Sequence, residues 1–132
     1  MGTWGTDAFE NDGASDWAWE LEKAVDLSVL QQALQPAEGY LEAPEGELLV
    51  AASQVLAAAL GAPAPAIPDG VHQWLQQHPQ LKYSQLLGLA QRGLARVLGA
   101  DSELAELWGE SDEGAQWRRG VQELAAGLAQ LS

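Results

Sequence analysis

The apolar positions of this chain recur at spacings of three and four, the period of an amphipathic helix, and no stretch alternates as a strand would. Trp17, Leu21 and Ala24 share one face of a helix predicted over about 13–24, with Asp12 placed to cap it. Leu27, Leu30 and Leu34 make a second stripe. In a continuous helix the two stripes would point roughly 100° or more apart. A break is therefore predicted near Asp26, which can cap the second piece. Gln35-Pro36 ends that segment, and PAEGYLEAPEGE, residues 36–47, reads as a loop.

The next helix, about 45–60, is apolar almost all round and is predicted to be central, with Pro44 in its first turn. GAPAPAIP is a stiff connection, and Pro68 and Asp69 open a short helix through Trp74 that ends before Pro79. One helix is predicted from Leu81 to Leu98, with Tyr83, Leu86, Leu87, Ala90, Leu94, Val97 and Leu98 inward and Gln85, Arg92 and Arg96 outward. Gly99 should cap its C-terminus. Asp101 then caps a short helix bearing Leu104, Leu107 and Trp108. Ser111 caps the last helix, whose stripe is Trp117, Val121, Leu124, Leu128 and Leu131. The expectation is an all-α protein. Residues 1–132 form a single irregular bundle of six or seven helices, and residues 1–12 are an extended segment packed on the core.

Composition narrows this picture. A chain of 132 residues, 47% of them apolar, is long and apolar enough to bury a core. The absence of cysteine removes disulfides, thiolate metal sites and a cysteine nucleophile. The first residues lack the basic and apolar regions of a signal peptide. Gly2 and Thr6 match the myristoylation pattern, but no polybasic stretch supports it. The apolar run Leu48 to Leu60 is too short for a membrane span.

Charge changes the picture more. The formal net charge is −13, with eleven acids and one lysine in residues 1–47, a small positive excess in 48–100, and seven acids against Arg118 and Arg119 thereafter. Phosphate backbones and anionic bilayers would be repelled, so neither a nucleic acid nor a membrane is expected as partner. A basic protein partner would be attracted and steered in.

The opening MGTWGTDAFENDGASDWAWE places five acids within twenty residues. Aligned on Gly13, it brushes the calcium-binding EF-hand loop, with Glu10 and Asp12 at positions three and five. Positions one and twelve would be Ala8 and Trp19, so both essential carboxylates are missing. His72 and His78 lie six apart without a third ligand. No G-x-S-x-G elbow occurs. Gly88 and Gly93 have phosphate-loop spacing, but Leu94 and Ala95 replace the required Lys and Ser/Thr. These two glycines, with Gly120 and Gly127, read instead as positions of close helix packing. No catalytic residue, metal ligand set or cofactor is therefore expected. Trp17, Trp74, Trp108 and Trp117 read as core. Trp4 and Phe9 are expected to staple the N-terminal segment down, with Gly2 and Gly5 allowing the turns, in one structural motif with Asn11, Asp12 and Trp17. Asp7, Glu10, Asp16 and Trp19 remain as the candidate functional surface.

The opener resembles a bacterial family of small proteins catalogued only as a domain of unknown function. The resemblance lies in Gly2, Thr3, Trp4 and Gly5, then Phe9, Glu10, Asn11 and Asp12, then Asp16 and Trp17, with SELAELW and the Trp117 helix similar to its C-terminal part. Asp7 departs from the glycine expected there. The resemblance implies an all-helical fold and a bacterial cytoplasmic setting, and no activity. The expected function is a non-enzymatic acidic interaction protein, immunity- or antitoxin-like, binding a basic protein. The alternative is a metal- or small-ligand-binding protein or hydrolase, with carboxylates converging from the N-terminal segment and the helices.

Overall fold

A computed structural model describes residues 7–62 and 67–131, and among these the chain forms seven α-helices and one turn of 3-10 helix. They are α1 (Asp12–Glu22), α2 (Ser28–Leu34), α3 (Ala43–Ala59), α4 (Asp69–Gln77), the 3-10 turn Tyr83–Leu86, α5 (Leu87–Leu98), α6 (Glu103–Gly109) and α7 (Gly114–Ala129). No strand occurs among the described residues, and the architecture is an all-α bundle.

The chain packs around α3. Every residue from Leu49 to Ala57 is buried, and α1, α2, α5, α6 and α7 all contact this helix. A helix surrounded on so many sides needs apolar residues all round rather than one stripe. The one hydroxyl in that stretch, Ser53, donates back to the Leu49 carbonyl at 2.8 Å, so its burial leaves no orphan group.

The start of α3 is also tied to a distant part of the chain. Glu45 Oε1 accepts from the Glu42 N–H at 3.2 Å, and Glu103 Oε1 accepts from the Ala43 N–H at 2.7 Å. Pro44 has no N–H to satisfy. Beside them the Leu41 N–H donates to the Asp101 carbonyl and the Glu103 N–H donates to the Leu41 carbonyl, at 2.8 and 2.9 Å. Tyr40 then donates its hydroxyl to Glu106 at 2.7 Å. Residues 40–43 are thus tied to residues 101–106, about sixty positions along the chain.

Several sequence expectations are corrected in detail. Asn11, not Asp12, caps α1: its Oδ1 accepts from the Ala14 N–H at 2.7 Å and its amide donates to the Ala8 carbonyl at 3.1 Å. Ser102, not Asp101, caps α6, accepting from the Ala105 N–H at 3.2 Å. The Asp101 carbonyl is the group used, for the Leu41 pairing. Both caps lie one residue from the expected position, which a shift of one acceptable capping residue explains. The helix predicted from Leu81 begins instead as a 3-10 turn. There the buried Tyr83 packs edge-on against Trp74 at 6.4 Å and donates its hydroxyl to the His78 carbonyl at 2.8 Å. Leu131, assigned to the stripe of the last helix, is exposed and lies beyond the end of α7 at Ala129. Leu107, within α6, is exposed as well. Gly120 faces open space rather than a neighbouring helix.

Other expectations hold. The break between α1 and α2 occurs, with Asp26 Oδ1 accepting from the Ser28 N–H at 2.9 Å. Hydrogen bonds from Ser28, first the side chain and then the backbone, hold the Asp26 carboxyl below the usual carboxylate range. Trp17, Trp74 and Trp117 are buried. The Trp74 indole N–H donates to the Ala24 carbonyl at 2.9 Å, joining α4 to the end of α1. Trp108 is half-buried and stacks on Trp117, with ring centroids 6.0 Å apart and planes 8° from parallel.

Candidate functional site

Gly2, Trp4 and Gly5 lie outside the described residues. Asp7 to Glu10 form a turn, in which the Glu10 N–H donates to the Asp7 carbonyl at 3.0 Å and the Asp7 N–H donates to Glu10 Oε1 at 3.1 Å. The Glu10 carboxylate is therefore engaged by its own turn. Phe9 is half-buried and stacks against Trp17 with centroids 6.5 Å apart. Asn11 is buried at the cap.

From that cap, α1 presents two faces. Ala14, Trp17, Ala18 and Leu21 are buried, which fixes Asp12, Asp16, Trp19, Glu20 and Lys23 on the outside. Trp19 is 66% exposed. Asp12, Asp16 and Glu20 stand four apart, so successive carboxylates are neighbours along the helix. Each such like-charge pair opposes the helix by about 0.2–0.5 kcal/mol. Asp12 recovers part of this because it lies in the first turn, at the positive end of the helix dipole. Glu20 stands near the negative end and recovers nothing. Glu22 leaves this face, its carboxylate lying over Gly70 in the first turn of α4, where a negative charge is favoured.

The acids of this region do not gather around a point. Among the described residues no three Asp, Glu or His side chains are grouped to hold a metal ion. His78 stacks on Trp74 with centroids 4.7 Å apart, and its Nδ1 lies 2.9 Å from the Trp74 carbonyl oxygen. His72 is exposed on α4, near Gln76.

A second feature went unnoticed in the sequence. A groove of about 460 Å³ runs between the 35–39 loop and α5, lined by Leu34, Leu89 and Gly93 with Glu38, Arg92 and Arg96. Arg96 forms one wall by strapping the loop: its Nη2 donates to the Ala37 and Gly39 carbonyls at 3.0 and 3.1 Å, and its Nη1 to the Pro36 carbonyl at 3.4 Å. Arg92 and Arg96, four apart on the polar face of α5, were the available signal. Their spacing shows a shared face but not the loop that folds over it.

The fold and these surfaces define a small acidic helical protein. The chain matches the family described as a domain of unknown function, DUF4259, over residues 2–120, and it belongs to that family. No curated protein and no solved structure matches it.

Proposed function

We propose that this chain is a non-enzymatic binding module, acting in a bacterial cytoplasm, that docks a basic protein on the exposed face of α1. The observation that carries this reading is Trp19, two-thirds exposed within the Asp12, Asp16 and Glu20 ladder. An exposed indole leaves a large apolar surface in water, and tryptophan is among the residues that most often anchor protein interfaces. A cationic partner would relieve the repulsion along the ladder and be steered to it by the net charge of −13. Binding of this kind is what immunity proteins and antitoxins perform, and it needs no reacting group on the acidic partner.

The test is capture of protein from the source cell by the wild-type chain, by Trp19→Ser and by Asp16→Lys, at low and high salt. The reading requires a basic protein held by the wild type, weakened by salt, and lost from both variants. Equal capture by all three chains would refute it.

A further inference from the structure

The cations of α5 are treated differently by the fold. Arg96 spends its donors on three loop carbonyls, and Arg118 of α7 donates to the Leu98 carbonyl at 3.2 Å. Arg92 makes no hydrogen bond or ion pair among the described residues. This occurs in a chain with nineteen acids against six lysines and arginines, where a carboxylate partner would be easy to supply.

Its guanidinium is nevertheless placed. It lies over Gly88, one turn earlier on α5, with Nη1 3.2 Å from where a β-carbon on that glycine would stand. A larger residue at 88 would push the head group away. Arg92 thus lines the groove with its planar fork of donors unfilled. Leu34, Leu89 and the bare backbone of Gly93 supply apolar surface alongside, and the loop strapped by Arg96 closes one side. A volume of about 460 Å³ is in the range that holds small molecules.

We propose that this groove binds a small organic anion, a carboxylate or phosphate monoester with an apolar body, and that Arg92 is the ligand of its head group. The apolar body lies along Leu34 and Leu89, and the head group fills the fork of Arg92 in a charge-assisted pair. With an overall charge of −13, general attraction of anions cannot produce such binding. It must come from the local arrangement, with Glu38 on the same lining opposing any anion that misses Arg92.

The experiment is a titration followed by amide NMR, with octanoate, phenyl phosphate and neutral 1-octanol as probes. Octanoate or phenyl phosphate should shift the Gly39, Gly88 and Gly93 amides saturably, and 1-octanol should not. Response to only one of the two anions assigns the head group. Arg92→Gln should weaken binding roughly tenfold or more, as expected for loss of a bond to a charged group. Arg119→Gln, on the exposed side of α7, should leave it unchanged. Thermal melting checks that each variant is folded. The proposal is overturned if neither anion gives a saturable shift, if 1-octanol binds as well, or if Arg92→Gln binds like the wild type.

Discussion

Gly93 of α5 lies directly against Leu49 of α3: a β-carbon at Gly93 would stand 2.7 Å from Leu49 Cδ2 and 2.9 Å from Cδ1. Leu49 is fully buried, so its methyls have nowhere to swing. At this contact the Leu49 side chain of the central helix packs onto the bare backbone of α5, which contributes no side chain of its own.

Gly93→Ala should therefore destabilise the protein. Overpacking a filled core costs about 1–3 kcal/mol, against which alanine regains about 1 kcal/mol of helix propensity. Gly120→Ala makes the same change within α7 where nothing lies within 4 Å, and should stabilise by about 0.5–1 kcal/mol. Urea unfolding of the two variants should give shifts of opposite sign.

The cap of α1 offers a similar contrast between neighbours. Asn11→Ala removes the acceptor of the Ala14 N–H and the donor to the Ala8 carbonyl, and should cost about 1–2 kcal/mol. Asp12→Ala loses only a favourable charge in the first turn, about 0.3–1 kcal/mol, and relieves its repulsion with Asp16. Equal costs in thermal or urea melts would restore Asp12 as the cap.

The Tyr40–Glu106 contact gives a pH signature. The hydrogen bond to Glu106, then partial desolvation, then the charges of Glu106, Glu103 and Asp101 push the Tyr40 phenol up to about 12 from its ordinary 10.0. Because the folded value lies above the unfolded one, the contact's contribution is fully present below pH 10 and is lost as the pH rises towards 12. Burial raises Tyr83 as well. Tyrosinate absorbance of the native protein should rise later than that of the urea-unfolded chain. Glu106→Gln should bring one tyrosine, and not the other, back towards its ordinary range.

The tryptophans should separate sharply. Trp74→Ala removes a buried ring and its bond to Ala24, and should cost about 3–5 kcal/mol. Trp19→Ala removes an exposed ring, and should change stability by less than about 0.5 kcal/mol in urea melts. A large loss from Trp19→Ala would make that residue structural and remove the basis for a docking anchor.

These contrasts show what the sequence made legible. Helical periodicity located α1, α2, α5 and α7, because each buries a face and the spacing of three or four records it, while α3 was legible as a run apolar almost all round. It misjudged Leu131, which lies past the end of α7, where the stripe no longer faces a neighbour. Two caps were misread by one residue, since Asn11 and Asp12, like Asp101 and Ser102, are adjacent residues of equally good capping chemistry, and Ser111 lies two residues before the N-cap of α7, Glu113, whose N–H it accepts from at 3.2 Å. Trp19 was set apart from the core tryptophans as a candidate surface residue, and the fold is what shows it exposed. The groove was not, because it depends on the 36–39 loop folding onto Arg96 across some sixty residues. A tie of that length leaves no local pattern.

The most direct measurement places a photo-crosslinking amino acid at position 19 of α1 and, in a second chain, at the exposed position 122 of α7, and illuminates both in the source cell. The docking account predicts a crosslink to a basic protein from position 19, reduced when Asp16 and Glu20 are changed to lysine, and none from position 122. No crosslink from position 19, or the same products from both positions, would contradict it.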